Sequence, residues 1–272
     1  MAKNAIAPTA HEVLREYWGY DAFRPLQEDI IASVIGGEDT LALLPTGGGK
    51  SICFQVPALM KPGICLVISP LIALMKDQVE NLNKRGIKAF CITSELTYKQ
   101  IDDLFDRCVH DPEVKFLYLS PERLLTDLAK TRIERMRVNL IAVDEAHCIS
   151  EWGYDFRPPY LRIAEIRALH SNVPLIALTA SATPIVVKDI QERLDFKKEK
   201  VFAKSFKRDN LAYFVLWDED KIGKAIKIIR KRGGSGIIYA RSRKGTERLA
   251  RELQKVGISA DYYHAGLESE LR

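Results

Sequence analysis

Long hydrophobic runs are missing: nowhere in the 272 residues does an apolar stretch approach the ~18 that a membrane-spanning helix needs. The opening MAKNAIAPTA has no apolar core of the kind a signal peptide carries, and both absences point to the cytoplasm, beside the nucleoid if the source is bacterial. Cysteine is sparse and odd in number. Cys53, Cys65, Cys91, Cys108 and Cys148 lie 12, 26, 17 and 40 residues apart, which is neither a zinc-ligand nor a redox spacing, so they are read as buried reduced thiols and no zinc is expected. No internal repeat or low-complexity tract occurs. With 47% hydrophobic and 28% charged residues, 16 Gly and 12 Pro, disorder, collagen and disulfide scaffolds are all excluded.

What is present is an enzyme-sized α/β chain with an uneven charge. Residues 1–196 carry a net −4, whereas residues 197–272 hold 19 Lys/Arg against 10 Asp/Glu, a basic quarter suited to a polyanion or simply to water. Strand-length β-branched runs at 40–44, 64–68, 89–92, 115–119, 140–143 and 175–178 alternate with helix-length amphipathic runs at 50–60, 72–84, 98–109, 121–129, 160–169 and 184–194. Two more helices precede them: one opens at the capping box Thr9-x-x-Glu12, the other at Phe23-Arg24-Pro25 and stops at Gly36-Gly37. This alternation predicts a doubly wound parallel sheet with helices on both faces. It restarts beyond the KKEK cluster, with strands at 211–216, 237–240 and 259–263 and helices near 220–232 and 244–256. A boundary near 196–207 then separates a first domain, 1–200, from the opening part of a second, 201–272.

The run at 41–44 leads straight into Pro45-Thr46-Gly47-Gly48-Gly49-Lys50-Ser51 and then a helix, which is a phosphate-binding loop in its proper context. Glycines let the backbone N–H groups turn toward a phosphate, the helix terminus favours the anion, Lys50 offsets β/γ charge and Ser51 suits Mg²⁺. Leu44 stands where the first glycine of the strict motif would be, so this is the relaxed form of the loop. A second apolar run, Val138–Val143, ends in Asp144-Glu145-Ala146-His147, placing carboxylates at a strand's C-terminal end, where open α/β sheets bind ligands. There Asp144 suits Mg²⁺ and Glu145 the attacking water, with His147 beside them.

Together these motifs resemble the RecQ family of superfamily 2 DNA helicases, from about residue 12 to the end. The resemblance implies a RecA-like first domain followed by part of a second, ATP and Mg²⁺ as cofactors, single-stranded and duplex DNA as partners, 3′→5′ unwinding, and roles in DNA repair and recombination. Gly19 to Gln27 is similar to the family's adenine-recognition motif, implying that Gln27 reads the base, Tyr20 stacks on it and Arg24 assists; without the family, Gln27 reads as an exposed helix residue. Ser69-Pro70 and Ser120-Pro121 resemble DNA-backbone motifs, and 178–183 resembles the motif linking the nucleotide site to the interdomain cleft. The segment 149–160, with Trp152, Phe156 and Arg157, looks like the aromatic-rich loop that couples single-strand binding to hydrolysis; Tyr154 departs from the family's usual His. Ser242 and Arg243 are implied to touch DNA phosphates. The family's later motifs, among them the arginines that complete the ATP site, are expected to lie beyond Arg272, leaving this chain incomplete for unwinding and slow in turnover.

A small-molecule kinase shares Lys50 and Ser51 but gives no reason for the carboxylates and the aromatic loop. An RNA helicase of the DEAH type explains the ATP site without Trp152, Phe156 and Arg157. A non-catalytic fragment that binds nucleotide or DNA is the remaining alternative.

Overall fold

Seven parallel strands form one sheet in the order β3-β4-β2-β5-β6-β1-β7. They are β1 Thr40–Leu43, β2 Ile64–Ile68, β3 Ala89–Ile92, β4 Phe116–Leu119, β5 Val138–Val143, β6 Leu175–Thr179 and β7 Val201–Ala203. The computed structural model describes residues 8–45, 47–153, 155–205 and 210–268. The helices before and between the strands are α1 Ala10–Trp18, α2 Gln27–Ile35, α3 Ile52–Met60, α4 Ile72–Lys84, α5 Tyr98–His110, α6 Pro121–Leu124, α7 Asp127–Glu134, α8 Ile163–Leu169 and α9 Pro184–Arg193.

Because successive strand residues face opposite sides, each strand feeds two cores. Leu66 and Ile68 turn toward Phe105, Ile133, Ile166 and Ile190, while Cys65 and Val67 turn toward Ile30, Phe54, Met75 and Leu82. Burial on both faces is what makes these strands nearly continuous apolar runs. Their N-terminal edge is tied by Asp39, whose carboxylate accepts from Arg167 Nη2 at 2.6 Å and from the amides of Leu175 and Lys197. That ion pair is sealed, with 4% and 1% of the two side chains exposed.

The chain divides into two compact units, Met1–Lys207 and Arg208–Arg272. Val201–Ala203 joins the first sheet by pairing with β1, a strand missed in the sequence because only three residues contribute. The capping box is present, Thr9 accepting from the Glu12 amide and the Glu12 carboxylate accepting in return. Other elements differ from the pattern. The helix expected from Phe23 begins at Gln27, because Leu26 takes a left-handed φ of 72° just before it. The run at 121–129 breaks into α6 and α7, since the Thr126 hydroxyl accepts from the Ala129 amide and starts a new helix.

In the second unit, α10 Lys221–Arg232 and α11 Arg243–Lys255 form, capped by Asp220 and Ser242. The strands expected at 211–216, 237–240 and 259–263 do not: among the described residues no ladder pairs them. A strand exists only through hydrogen bonds to a neighbour, and the apolar runs at 211–216 and 237–240 stand open to solvent.

Candidate functional site

The strand order lines up the chemistry. β6 lies between β1 and β5, so the C-terminal ends of three adjacent strands present the glycine loop, Thr179 and Asp144 in sequence across the sheet. One strand further, β2 delivers Ser69 and Pro70.

The loop after β1 turns where Gly48 N–H donates to the Pro45 carbonyl at 2.9 Å. Gly47 and Gly49 have φ of 77° and 75°, conformations that a side chain would strain. A Cβ on Gly48 would come within 2.8 Å of the Pro45 carbonyl oxygen. Ser51 begins α3 and lines a cleft of about 590 Å³ together with Trp18, Tyr20, Arg24, Gln27 and Gln55. Thr46, named with this loop, lies outside the described residues.

Gln27 is 3% exposed, not the exposed helix residue that its sequence alone suggests. Its Oε1 accepts from the Arg24 amide at 2.8 Å and its Nε2 donates to the Gly49 carbonyl at 2.9 Å. Arg24 Nη1 donates to the Gly47 carbonyl. Both side chains therefore grip the glycine loop from the cleft, and Tyr20 stands at the cleft's exposed edge.

Asp144 is buried at the end of β5, and burial, followed by the charge of Glu145, pushes its carboxyl up to about 6. Lys50 acts in the opposite direction on both carboxylates. Glu145 is held below the usual carboxylate range, chiefly by the hydrogen bond from His147. His147 Nδ1 lies 2.9 Å from Thr179 Oγ1 and 3.3 Å from Glu145 Oε2. Hydrogen bonding to Cys148 and to the Glu145 carboxylate pushes the imidazole up to about 9. Thr179 in turn accepts from the Ser181 amide, connecting the residues at 144–147 to the turn after β6. The structure thus brings Lys50, Asp144, Glu145 and His147 into one cluster.

Two short 3₁₀ turns, Ala146–Ile149 and Pro158–Arg162, follow Glu145, and Trp152 lies between them. Trp152 is 75% exposed, Phe156 is half-buried, and Tyr154 lies outside the described residues. Arg157 donates to the Asp155 carboxylate at 3.1 Å and reaches the Pro70 carbonyl at 3.5 Å. Cys148 Sγ lies 3.8 Å from both His147 Nε2 and Asp155 Oδ2. Ser69 differs from the expectation: it is buried and its hydroxyl has no hydrogen-bond partner among the described residues, so it offers no surface contact as it stands. In the second unit, the Ser242 hydroxyl is occupied in capping α11, and Arg243 is exposed in that helix's first turn. Sequence reasoning missed the links through Cys148 and Asp155, because thiol and carboxylate meet only when the loop folds back.

A family profile described as DEAD/DEAH box helicase matches residues 24–190, which include the loop, the carboxylates and Thr179. The chain belongs to that family. An ATP-dependent DNA helicase RecQ of Haemophilus influenzae is 41% identical over 269 residues, covering 97% of this chain and 43% of the relative. The RecQ of Bacillus subtilis is 41% identical over 267 residues, covering 97% and 45%. The chain thus spans less than half the length of these curated relatives, and within the family it is similar to the N-terminal core of RecQ helicases. Among solved structures, the DUF1998 helicase MrfA shares the fold with a TM-score of 0.69 at 17% identity, over 94% of this chain and 41% of that one. The family implies ATP with a divalent metal. Among the described residues no helix is long and apolar enough to cross a membrane.

Proposed function

We propose that this chain is the ATP-hydrolysing, DNA-binding core of a 3′→5′ DNA helicase of the RecQ type. The observation that carries this reading is the row of strand ends, which sets the glycine loop, Thr179 and Asp144–Glu145 side by side and continues into a loop that exposes Trp152. The names of the relatives, ATP-dependent DNA helicases, support it.

Among the described residues, no three His, Cys, Asp or Glu side chains form a metal cage of their own. That fits Mg²⁺, which takes one or two protein oxygens and completes its shell with waters and substrate phosphates. Ser51 and Asp144 would hold it, and the half-raised Asp144 carboxyl is a buried acid that a cation would keep ionised. Once bound, the ion supplies charge to the phosphate oxygens. Lys50 and the loop amides would hold the β- and γ-phosphates. Glu145, held below the usual carboxylate range beside His147, would accept a proton from the attacking water, leaving ADP and phosphate. Tyr20, Arg24 and Gln27 line the cleft where adenine would sit, and Gln27 and Arg24 would exchange their bonds to the loop for bonds to the base. Trp152 and Phe156 would stack on single-strand bases, with Arg157 and Pro70 near the backbone.

Hydrolysis of Mg-ATP measured alone, with single-stranded DNA and with RNA tests this reading. Stimulation by DNA supports it, whereas stimulation by RNA alone, or tight nucleotide binding without turnover under all three conditions, overturns it.

A further inference from the structure

The peptide between Asp144 and Glu145 is held at both ends. Its N–H donates to Asp144 Oδ1 at 3.0 Å, and its carbonyl accepts the Tyr160 hydroxyl, also at 3.0 Å. Glu145 leaves this peptide with φ 47° and ψ 44°, the left-handed region that sterics disfavour for any residue with a Cβ. Turning the peptide about its long axis changes the φ of Glu145 directly. A donor fixed on the carbonyl therefore opposes the relaxation that the backbone itself favours.

Tyr160 is well placed to be that donor. It is fully buried in the core beneath β5, among Ile149, Ile163 and Ile166. Its backbone is set by the 3₁₀ turn that Pro158 and Pro159 begin, and the Tyr160 amide donates to the Arg157 carbonyl at 2.9 Å. Arg157 N–H in turn donates to the Cys148 carbonyl at 2.8 Å, closing the loop that bears Trp152 and Phe156. The same loop thus ends in a hydroxyl that touches the backbone of the candidate catalytic carboxylates.

We propose that Tyr160 is a positioning residue whose hydroxyl holds the Asp144–Glu145 peptide in the orientation that keeps Glu145 left-handed and its carboxylate beside His147. The role of Glu145 in hydrolysis rests on the function proposed above, but the backbone part of the claim does not. A strand on Trp152 or Phe156 would then act on Glu145 through the loop and this one hydrogen bond. Phenylalanine at 160 fills the same space and leaves the Asp144 carbonyl without its donor, so packing and positioning can be separated.

The test is Tyr160→Phe, examined by crystallography and by ATP hydrolysis with single-stranded DNA. The expected structure has residue 145 outside the left-handed region; a φ that stays near 47° overturns the proposal, whether or not the protein turns over ATP. The expected kinetics are at least a tenfold fall in kcat with KM for ATP within threefold, and an unchanged kcat overturns it. In a Glu145→Gln background, Tyr160→Phe should add no further loss in single-turnover rate, because both changes act on one group; losses that multiply point to a merely structural role and overturn it. A 3-fluorotyrosine at 160 keeps ring and hydroxyl, so it should retain both kcat and the left-handed φ, and a loss of either there also counts against the proposal. Absence of ATP hydrolysis by the unsubstituted chain tells against the proposed function, and the crystallographic angle still decides on Tyr160.

Discussion

The two units read alike in sequence and differ sharply in burial. In Met1–Lys207 the strands β1, β2, β4, β5 and β6 each have a partner on both sides, and their apolar residues are almost all hidden. In Arg208–Arg272 only Ala250 and Leu253 are buried among the described residues, while Val215 and Trp217 are 101% and 97% exposed. Both halves have β-branched runs and amphipathic helices, so local pattern does not account for the contrast. The difference lies in the number of neighbours that share a layer: a strand is stabilised by the ladders and helices beside it, and a run without them stays wet.

The largest expected effect lies in the first unit. Asp39→Ala leaves Arg167 charged and buried with no partner and removes an acceptor from two amides, so it should destabilise that unit by about 3–5 kcal/mol. Denaturant unfolding of the substituted chain checks this; a loss under about 1 kcal/mol would mean that the edge of the sheet is not a keystone of the unit.

Protonation sharpens the comparison next, since the shifted groups cluster at the first unit's strand ends. His147 is raised from 6.5 to about 9, so its contribution to stability is complete below about pH 6.5 and is lost as pH rises through 9. Asp144 is also raised, from 3.8 to about 6, and its contribution is lost between those values. The thermal midpoint should therefore decline between pH 6.5 and 9 in the unsubstituted chain, and His147→Ala should flatten that decline while leaving the Asp144 limb below pH 6. An alkaline limb of equal depth in the variant would assign it to another group.

A smaller effect is expected at Trp152, whose exposed ring contributes nothing to the core. Trp152→Ala should weaken single-strand binding by about 1–3 kcal/mol, roughly tenfold or more, without lowering the thermal midpoint. Fluorescence anisotropy of a labelled oligonucleotide measures the first, and a shifted midpoint with unaltered binding would show the ring to be structural.

The smallest effect tests the other side of the contrast. Phe214 is 71% exposed in the second unit, so Phe214→Ala should change stability by no more than about 0.5 kcal/mol, whereas Phe105→Ala, fully buried in the first, should cost about 3–5 kcal/mol. Equal losses from the two substitutions would erase the distinction between the units.

How far the site was legible follows the same division. Lys50, Ser51, Asp144 and Glu145 stand at strand ends that hydrophobic runs and glycines announce, so their place could be read along the chain. The burial of Gln27, the unpartnered hydroxyl of Ser69 and the reach of Arg157 to Pro70 could not, because each depends on elements distant in sequence. The single helix expected at 121–129 failed for a local reason: the Thr126 hydroxyl can serve either a helix interior or a new cap, and here it caps α7.

By itself, the sequence determined the alternation of strands and helices, the capping box at Thr9, the glycine loop and the carboxylate pair, since hydrophobic period, cap chemistry and backbone freedom act over a few residues. Only the tertiary structure decided that β6 separates the loop from Asp144, that β7 closes the edge beside β1, and that Tyr160 meets the Asp144 carbonyl. Strand order and side-chain partners are settled by which surfaces bury best together, a property of the whole sheet that no short stretch of residues contains.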